Sequence, residues 1–205
     1  MDISLSAARF APVSVERAMA YATEQMKQRF ATLPFQPTHA VAALFEGRVG
    51  IGPKGGDYSR NQDLLERDCE RLSAEHPRHR FHASGNAWPL PAVQAARLAG
   101  LGIMGVNGLL WAPGLGTALS IGAVLTDMPL PDGELLKDNG YCPRCGECVR
   151  RCPAGAITYD SGIRSFEREK CLSHRRQKEG LPLERPGYYG CDICQEVCPM
   201  NAKTT

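Results

Sequence analysis

Eight of the nine cysteines lie in the last third of the chain, in two runs that each end in Cys-Pro. The runs are Cys142, Cys145, Cys148 and Cys152, and then Cys171, Cys191, Cys194 and Cys198. The first run has the spacing C-x2-C-x2-C-x3-C-P, in which three close thiolates hold one 4Fe-4S cluster and the fourth reaches a second cluster. The sequence therefore predicts two iron-sulfur clusters and the handling of single electrons.

The second run repeats this pattern, except that 19 residues separate its first cysteine from the other three. If each run lends its fourth ligand to the other cluster, the eight thiolates divide into two sets. The first predicted set is Cys142, Cys145, Cys148 and Cys198. The second predicted set is Cys152, Cys171, Cys191 and Cys194.

Zinc is the main alternative metal, because C-x2-C pairs also suit a tetrahedral site of four thiolates. A third cysteine two residues further on and a proline after the fourth favour clusters. A disulfide framework is the weakest alternative for a chain of this kind. The ninth cysteine, Cys69, shares a predicted helix face with Leu65 and Leu72, and we interpret it as a buried core residue without chemistry.

The N-terminal segment Met1–Phe10 lacks the apolar core of a signal peptide, which predicts a cytoplasmic protein. Residues 98–126 carry no charge, but seven glycines and a proline interrupt them, so we expect no membrane span. Residues 142–205 hold 11 Lys and Arg against 8 Asp and Glu. This basic excess favours an acidic redox donor such as ferredoxin or flavodoxin, although a solvated face that offsets cluster charge needs no partner.

The elements that must position the cysteines predict an α+β fold. We expect an α/β sandwich body over residues 1–140, followed by a small ferredoxin-like module with two 4Fe-4S clusters over residues 141–205. Predicted helices cover 15–30 with Ser14 as the N-cap, 61–76 and 91–100, and predicted strands cover 40–45, 80–83, 108–111 and 117–127. A turn at Pro113-Gly114 is expected to join the last two strands.

Two features of the body have more than one interpretation. The segment Gly50–Gly55 matches G-x-G-x-x-G, but Pro53 and a further loop spoil the strand-to-helix turn of a dinucleotide site. We interpret it as a tight loop, with close approach to a cofactor or phosphate as the alternative. The two tryptophans, Trp88 and Trp111, are interpreted as core residues because of their size, with the lining of a pocket as the alternative.

Several segments resemble the epoxyqueuosine reductases, a family of cobalamin-dependent enzymes with two 4Fe-4S clusters that is related to the reductive dehalogenases. Arg185–Asn201 looks like the signature of that family, as do Ala99–Gly102, Val124–Pro131 and the first cysteine run. Gly55–Tyr58 also resembles a family segment. The resemblance extends from Ala40 to Asn201.

The resemblance implies a body that binds a corrinoid, with flavin as the less favoured cofactor. The residues that it assigns to cofactor binding are Gly55, Asp57, Tyr58, Asn86 and Gly102. Asn86 stands where the family has its proton-donating aspartate, and an amide cannot act as a general acid. Because Thr205 follows Pro199 by six residues, we also expect a short form without the helical-repeat extension with which the family engages transfer RNA.

Our leading hypothesis is an iron-sulfur redox protein that passes single electrons to a small-molecule or corrinoid acceptor in the N-terminal domain. The first alternative is a cobalamin-dependent epoxyqueuosine reductase that acts on transfer RNA, with Asp57 or Tyr58 replacing the missing acid. The second alternative is a non-catalytic binding module in which the clusters are structural.

Overall fold

A computed structural model describes residues 3–46, 56–86, 89–137, 141–179 and 191–201 of the chain. The strands are β1 (Arg9–Ser14), β2 (His39–Glu46), β3 (Phe81–Ser84), β4 (Ile103–Met104), β5 (Leu110–Trp111), β6 (Leu119–Thr126), β7 (Ile157–Asp160) and β8 (Ile163–Phe166). The α-helices are α1 (Val15–Met19), α2 (Glu24–Ala31), α3 (Gly56–Glu75), α4 (Ala92–Leu98), α5 (Tyr141–Cys145), α6 (Glu147–Arg151), α7 (Leu172–Glu179) and α8 (Ile193–Glu196). Short 3-10 turns span Arg168–Lys170 and Pro199–Asn201.

The described residues form two compact units. The body unit contains residues 3–46, 57–102 and 120–136, and the cysteine unit contains residues 103–119 together with the described residues from 141 onward. The predicted domain boundary at residue 140 stays a prediction. Residues 103–119, which the sequence pattern placed in the body, cluster with the cysteines.

The body unit is built on a four-stranded sheet in the order β1-β2-β6-β3. β1 pairs antiparallel with β2, and β3 pairs antiparallel with β6, so that Phe81 lies opposite Thr126. All but the two end residues of β2 are buried, which is typical of a strand covered on both faces. The predicted strand over 40–45 is therefore confirmed.

Helices cover both faces of this sheet. Leu65, Cys69 and Leu72 of α3 pack with alternate β2 residues such as Val41 and Ala43 in one apolar cluster. Because side chains alternate along a strand, the intervening β2 residues face the other way. The helices α1 and α4 contact β1 and β2. This arrangement confirms the predicted mixed fold with a layered body.

Cys69 occupies the core position that its helical spacing predicts. The residue is 8% exposed within the apolar cluster on α3. Burial raises the pKa of its thiol to about 12, and the neighbouring carboxylates of Asp68, Glu66 and Glu70 add to the rise. The thiol therefore stays protonated at neutral pH, which suits a packing residue rather than a nucleophile.

The single helix predicted over 15–30 is wrong. Ser14 caps α1 as expected, through its hydroxyl and the backbone N–H of Arg17 at 3.5 Å, but α1 ends at Met19. Thr23 then caps α2 by accepting from the N–H of Met26 at 3.3 Å. A cap inside the apolar pattern splits the helix, and α2 buries none of its side chains.

The predicted strands over 108–111 and 117–127 correspond to β5 and β6, and a turn at Pro113-Gly114 lies between them, where the N–H of Gly116 donates to the carbonyl of Ala112 at 2.9 Å. The two strands belong to different sheets.

β5 pairs with β4, with Trp111 opposite Ile103, whereas β6 belongs to the body sheet. The cause of this pairing is a tight turn, in which the N–H of Gly105 donates to Leu109 at 2.8 Å and Gly108 adopts a φ of 78°. That left-handed conformation is one that glycine adopts readily.

None of the described helices is long and apolar enough to cross a membrane. The segment Gly50–Gly55 and Trp88 lie outside the described residues.

Candidate iron-sulfur centres

The first three cysteines of the cysteine unit converge because a helix is interrupted between them. Cys142 and Cys145 belong to α5, and Cys148 belongs to α6. Gly146 separates the two helices with a φ of 64°, a left-handed conformation that other residues rarely adopt. A side chain at this position would also press on the guanidinium group of Arg150. The bend directs successive cysteines toward one region.

The first predicted set of thiols is brought together. One pocket is lined by Cys142, Cys145, Cys148 and Cys198. Burial raises the pKa of Cys148 to about 11, and electrostatic interaction with the other three thiols of this set raises it further. Burial likewise raises the pKa of Cys198, which interacts with Cys142 and Cys145. The set thus combines residues from both cysteine runs.

The second predicted set is also brought together. Burial raises the pKa of Cys191, with contributions from Cys171 and Cys152. Burial raises the pKa of Cys194 to about 12, and electrostatic interaction with Cys191, Cys171 and Cys152 raises it further. Cys194 also interacts electrostatically with Cys148 of the first set. The two sets are therefore neighbours within one unit.

The chemistry of the thiols fits iron-sulfur clusters. All nine cysteines are free of disulfide bonds. Thiols with raised pKa values repel one another when ionised, and bound cations reverse this effect by favouring thiolate. Among the described residues, no three His, Cys, Asp or Glu side chains converge closely enough to hold a single metal ion. Four thiols around one pocket are the number that a 4Fe-4S cluster binds.

Backbone N–H groups surround the thiol sulfurs. The N–H of Val106 donates to Sγ of Cys142 at 3.3 Å, and the N–H of Ala156 donates to Sγ of Cys152 at 3.3 Å. Backbone N–H groups also favour the ionised forms of Cys148, Cys191 and Cys198. Such donors stabilise thiolate and are one of the factors that set the reduction potential of a bound cluster.

The β4–β5 hairpin contributes residues that the sequence pattern did not assign to the site. Asn107 and Trp111 line the pocket of the first thiol set. The Asn107 side chain donates to the carbonyl of Cys194 at 3.5 Å, and Arg164 donates to the carbonyl of Gly105 at 2.8 Å. Trp111 is half-buried and lines this pocket, which corrects its assignment to the core. The signal for this hairpin that the sequence offered was its many glycines and its lack of charged residues.

Asn201 ties the second cysteine run to the segment after the hairpin. Its Oδ1 accepts from the N–H of Thr117 at 2.6 Å, and its Nδ2 donates to Oγ1 of Thr117 at 2.7 Å. The same Nδ2 donates to the carbonyl of Gln195 at 2.8 Å. A side chain at Gly116 would collide with Asn201. This contact holds the turn of Cys198 in place.

The cofactor-binding residues implied for the body are described only in part. Gly55 lies outside the described residues, Asp57 and Tyr58 belong to the first turn of α3, and Gly102 is buried. Asn86 is exposed just after β3. These residues stay predictions as cofactor ligands.

The end of β3 and the N-terminal half of α3 lie together in the body. The N–H of Gly85 donates to Oε1 of Gln62 at 2.7 Å, and Nε2 of Gln62 donates to the carbonyl of Ala83 at 3.3 Å. Asn86 follows directly in the chain, so the segment that carries it starts beside α3.

Many basic side chains of the cysteine unit bind carboxylates of the same unit. Lys170 lies 2.7 Å from Glu167, Lys178 lies 2.9 Å from Glu169, and Arg150 pairs with Glu147. These pairs support the interpretation of the basic residues as a solvated face. An acidic redox donor stays a prediction.

Known proteins resemble this chain in both sequence and fold. Residues 141–201 match the family model of the 4Fe-4S double cluster binding domain. The chain is 36% identical over 152 residues to the epoxyqueuosine reductase of Synechococcus sp. (strain RCC307), an alignment that covers 72% of this chain and 46% of that protein. The chain spans about half the length of the curated relatives that it matches.

Solved structures share the fold. An epoxyqueuosine reductase with a modified tRNA-Tyr stem loop is similar at a TM-score of 0.68 and 19% identity, over 98% of this chain and 63% of that chain. The catabolic reductive dehalogenase NpRdhA is similar at a TM-score of 0.67 and 20% identity, over 96% of this chain and 30% of that chain. The chain is thus similar in sequence to the epoxyqueuosine reductases, carries a match to a 4Fe-4S double cluster binding domain, and shares the fold of the solved reductases.

Proposed function

We propose that this chain is an iron-sulfur oxidoreductase whose two 4Fe-4S clusters pass single electrons to a cofactor or substrate bound by the body unit. The observation that carries the proposal is the presence of two neighbouring sets of four thiols, each drawn from both cysteine runs. Two adjacent sets suit stepwise transfer better than an isolated structural metal does. The fold similarity to two kinds of reductase supports the same conclusion.

Each thiol set has a defined role in this proposal. Cys142, Cys145, Cys148 and Cys198 hold one cluster, and Cys152, Cys171, Cys191 and Cys194 hold the other. When bound, the clusters supply reversible one-electron chemistry at potentials that their surroundings set. The residues of the chain bind the iron through thiolate, donate backbone N–H groups to sulfur, and limit the access of water by burial.

In this proposal, electrons enter from a donor outside the chain. An acidic one-electron donor of the ferredoxin or flavodoxin class would be oxidised as it reduces the protein. The acceptor in the body is reduced in turn by the same number of electrons. A corrinoid is the favoured acceptor and a flavin the less favoured one.

The ligand assignment can be tested by metal analysis with a matched cysteine control. Protein purified without oxygen should contain about eight irons and eight sulfides per chain, and its visible absorption should bleach with dithionite. Cys198→Ser should disturb the cluster signal, whereas Cys69→Ser should leave it unchanged because Cys69 lies in the body core. Stoichiometric zinc without iron would contradict the proposal.

A second candidate function is cobalamin-dependent reduction of epoxyqueuosine in transfer RNA. The names of the curated relatives favour it, as does the solved relative that contains a tRNA stem loop. A bound corrinoid would supply the two electrons for removal of the epoxide oxygen, which would take up two protons and leave as water. Asn86, exposed after β3, fits hydrogen bonding to a substrate better than proton donation. Another acid, such as Asp57 or Tyr58, would have to supply the proton.

This second function can be tested with the unaltered chain and with a variant that restores a carboxylic acid at position 86. Protein loaded with clusters and cobalamin would be incubated with epoxyqueuosine-containing transfer RNA and a strong reductant, and the nucleosides would be analysed by mass spectrometry. If Asn86 limits proton transfer, Asn86→Asp should raise the yield of queuosine at least tenfold, because general acids contribute roughly 100-fold or more. No queuosine from either protein would leave only the first function.

A further inference from the structure

The indole nitrogen of Trp111 is a buried donor, and it belongs to a residue that lines the pocket of the first thiol set. Nε1 of Trp111 is enclosed and has no hydrogen-bond acceptor among the described residues. The residue lies in β5 and lines the same pocket as Cys142, Cys145, Cys148 and Cys198. This donor is unusual, because buried tryptophan N–H groups normally have an acceptor.

A buried donor without an acceptor destabilises a protein by the full cost of its desolvation. The same hairpin already directs one N–H at this thiol set, since Val106 donates to Sγ of Cys142 at 3.3 Å. Cluster sulfide and cysteine thiolate are both acceptors that a bound 4Fe-4S group would bring into the pocket. The orphan N–H therefore points to a sulfur of that group as its partner.

We propose that the Trp111 N–H donates a hydrogen bond to a sulfur of the cluster held by the first thiol set and raises its reduction potential. The inference rests on the proposed function, because it requires a cluster at this position. Reduction adds negative charge to the cluster, so a donor stabilises the reduced form more than the oxidised form. Trp111 acts here as a tuning residue that favours uptake of an electron by this cluster.

The substitution Trp111→Phe tests the proposal. It keeps a six-membered aromatic ring and removes the five-membered ring that carries the N–H donor. Both cluster potentials would be measured by redox titration followed by EPR. One potential should shift to a lower value while the other stays unchanged. The control Tyr21→Phe removes the side-chain donor of an exposed aromatic residue in the body unit and should shift neither potential. An unchanged pair of potentials in Trp111→Phe would overturn the inference.

A measurement on the unaltered chain decides the case even if Trp111→Phe fails to assemble. The protein would be labelled with 15N at the indole nitrogen, reduced, and studied by pulsed EPR. A magnetic coupling between the cluster spin and an indole 15N, retained in Trp88→Phe, supports the proposal. Two intact clusters without that coupling would overturn this inference alone. A protein that binds no iron would overturn the proposed function and this inference with it.

Discussion

The two units of this protein differ in what holds them together. In the body unit, large side chains such as Leu44, Leu65, Leu72 and Leu125 are fully buried between helices and sheet. In the cysteine unit, all eight cysteines of the two sets are only half-buried, and α5, α6 and α8 have five residues or fewer. Helices this short are not stable by themselves. The body is stabilised by apolar packing, whereas we expect the cysteine unit to depend on bound metal.

The largest expected effect follows from removing the clusters. Oxidation and chelation of iron should abolish amide protection in the described residues 141–179 and 191–201, because bound structural metal contributes on the order of 10 kcal/mol to folding. The strands β1, β2, β3 and β6 should keep their protection. Hydrogen exchange with mass spectrometry checks both parts. Equal loss of protection in the body would show that the two units are not stabilised separately.

A smaller effect is expected from a cavity in the body. Leu72→Ala removes a fully buried side chain and should lower the free energy of unfolding of the body by about 2–5 kcal/mol. The control Leu136→Ala alters a side chain that is 41% exposed and should change it by less than about 0.5 kcal/mol. Urea unfolding measured by circular dichroism gives both values. In Leu72→Ala the visible spectrum of the clusters should be unchanged at low urea. Loss of that spectrum would show that the stability of the cysteine unit depends on the packing of the body.

A polar contact should matter more to the cysteine unit than to the body. Asn201→Ala removes three hydrogen bonds to Thr117 and Gln195 and should cost about 1–3 kcal/mol. The expected result is loss of cluster absorbance at a lower temperature, with body unfolding unchanged. Thr158→Ala, at an exposed position of β7, is the matched control in the same unit. Identical cluster-loss temperatures for the two variants would contradict this role of Asn201.

The smallest effect is electrostatic and lies in the body. Burial opposes ionisation of Asp127, but the backbone N–H and the side chain of Arg80, together with His79, outweigh it and lower its pKa. The stabilisation is thus present above the unfolded pKa of about 3.9 and is lost as the pH falls through the lower folded pKa. Because the Arg80 side chain is 63% exposed, Asp127→Asn should cost only about 0.5–1 kcal/mol at pH 7.

Urea unfolding of Asp127→Asn and of the unaltered chain, at pH 7 and again near pH 2, checks this expectation. The difference between the two proteins should shrink at the lower pH. If the difference in unfolding free energy between the two proteins grew on acidification, burial would dominate and the pKa of Asp127 would be raised rather than lowered.

The same contrast explains what the sequence could predict. The strand β2 and the helix α3 were predicted because uninterrupted apolar runs and helical spacing follow directly from burial. The two thiol sets were predicted because cluster ligands have fixed spacing along the chain. Both signals are local in sequence, so a single chain is enough to read them.

Other features depend on contacts that are distant in sequence. The split between α1 and α2 turns on the hydroxyl of Thr23, which competes locally with a continuing helix. The β4–β5 hairpin was misassigned because its uncharged residues look like body strands, although they surround thiols of a later segment. Similarly, β1 has no alternating pattern, and its place at the sheet edge depends on pairing with β2.

The most direct test of the account is a reductive titration of the anaerobically purified, cluster-loaded chain, with electrons counted and EPR spectra recorded. We expect uptake of two electrons per chain in one-electron steps, one for each predicted cluster. A cluster-loaded protein that takes up no electron at any accessible potential would contradict electron transfer and leave its clusters with a structural role.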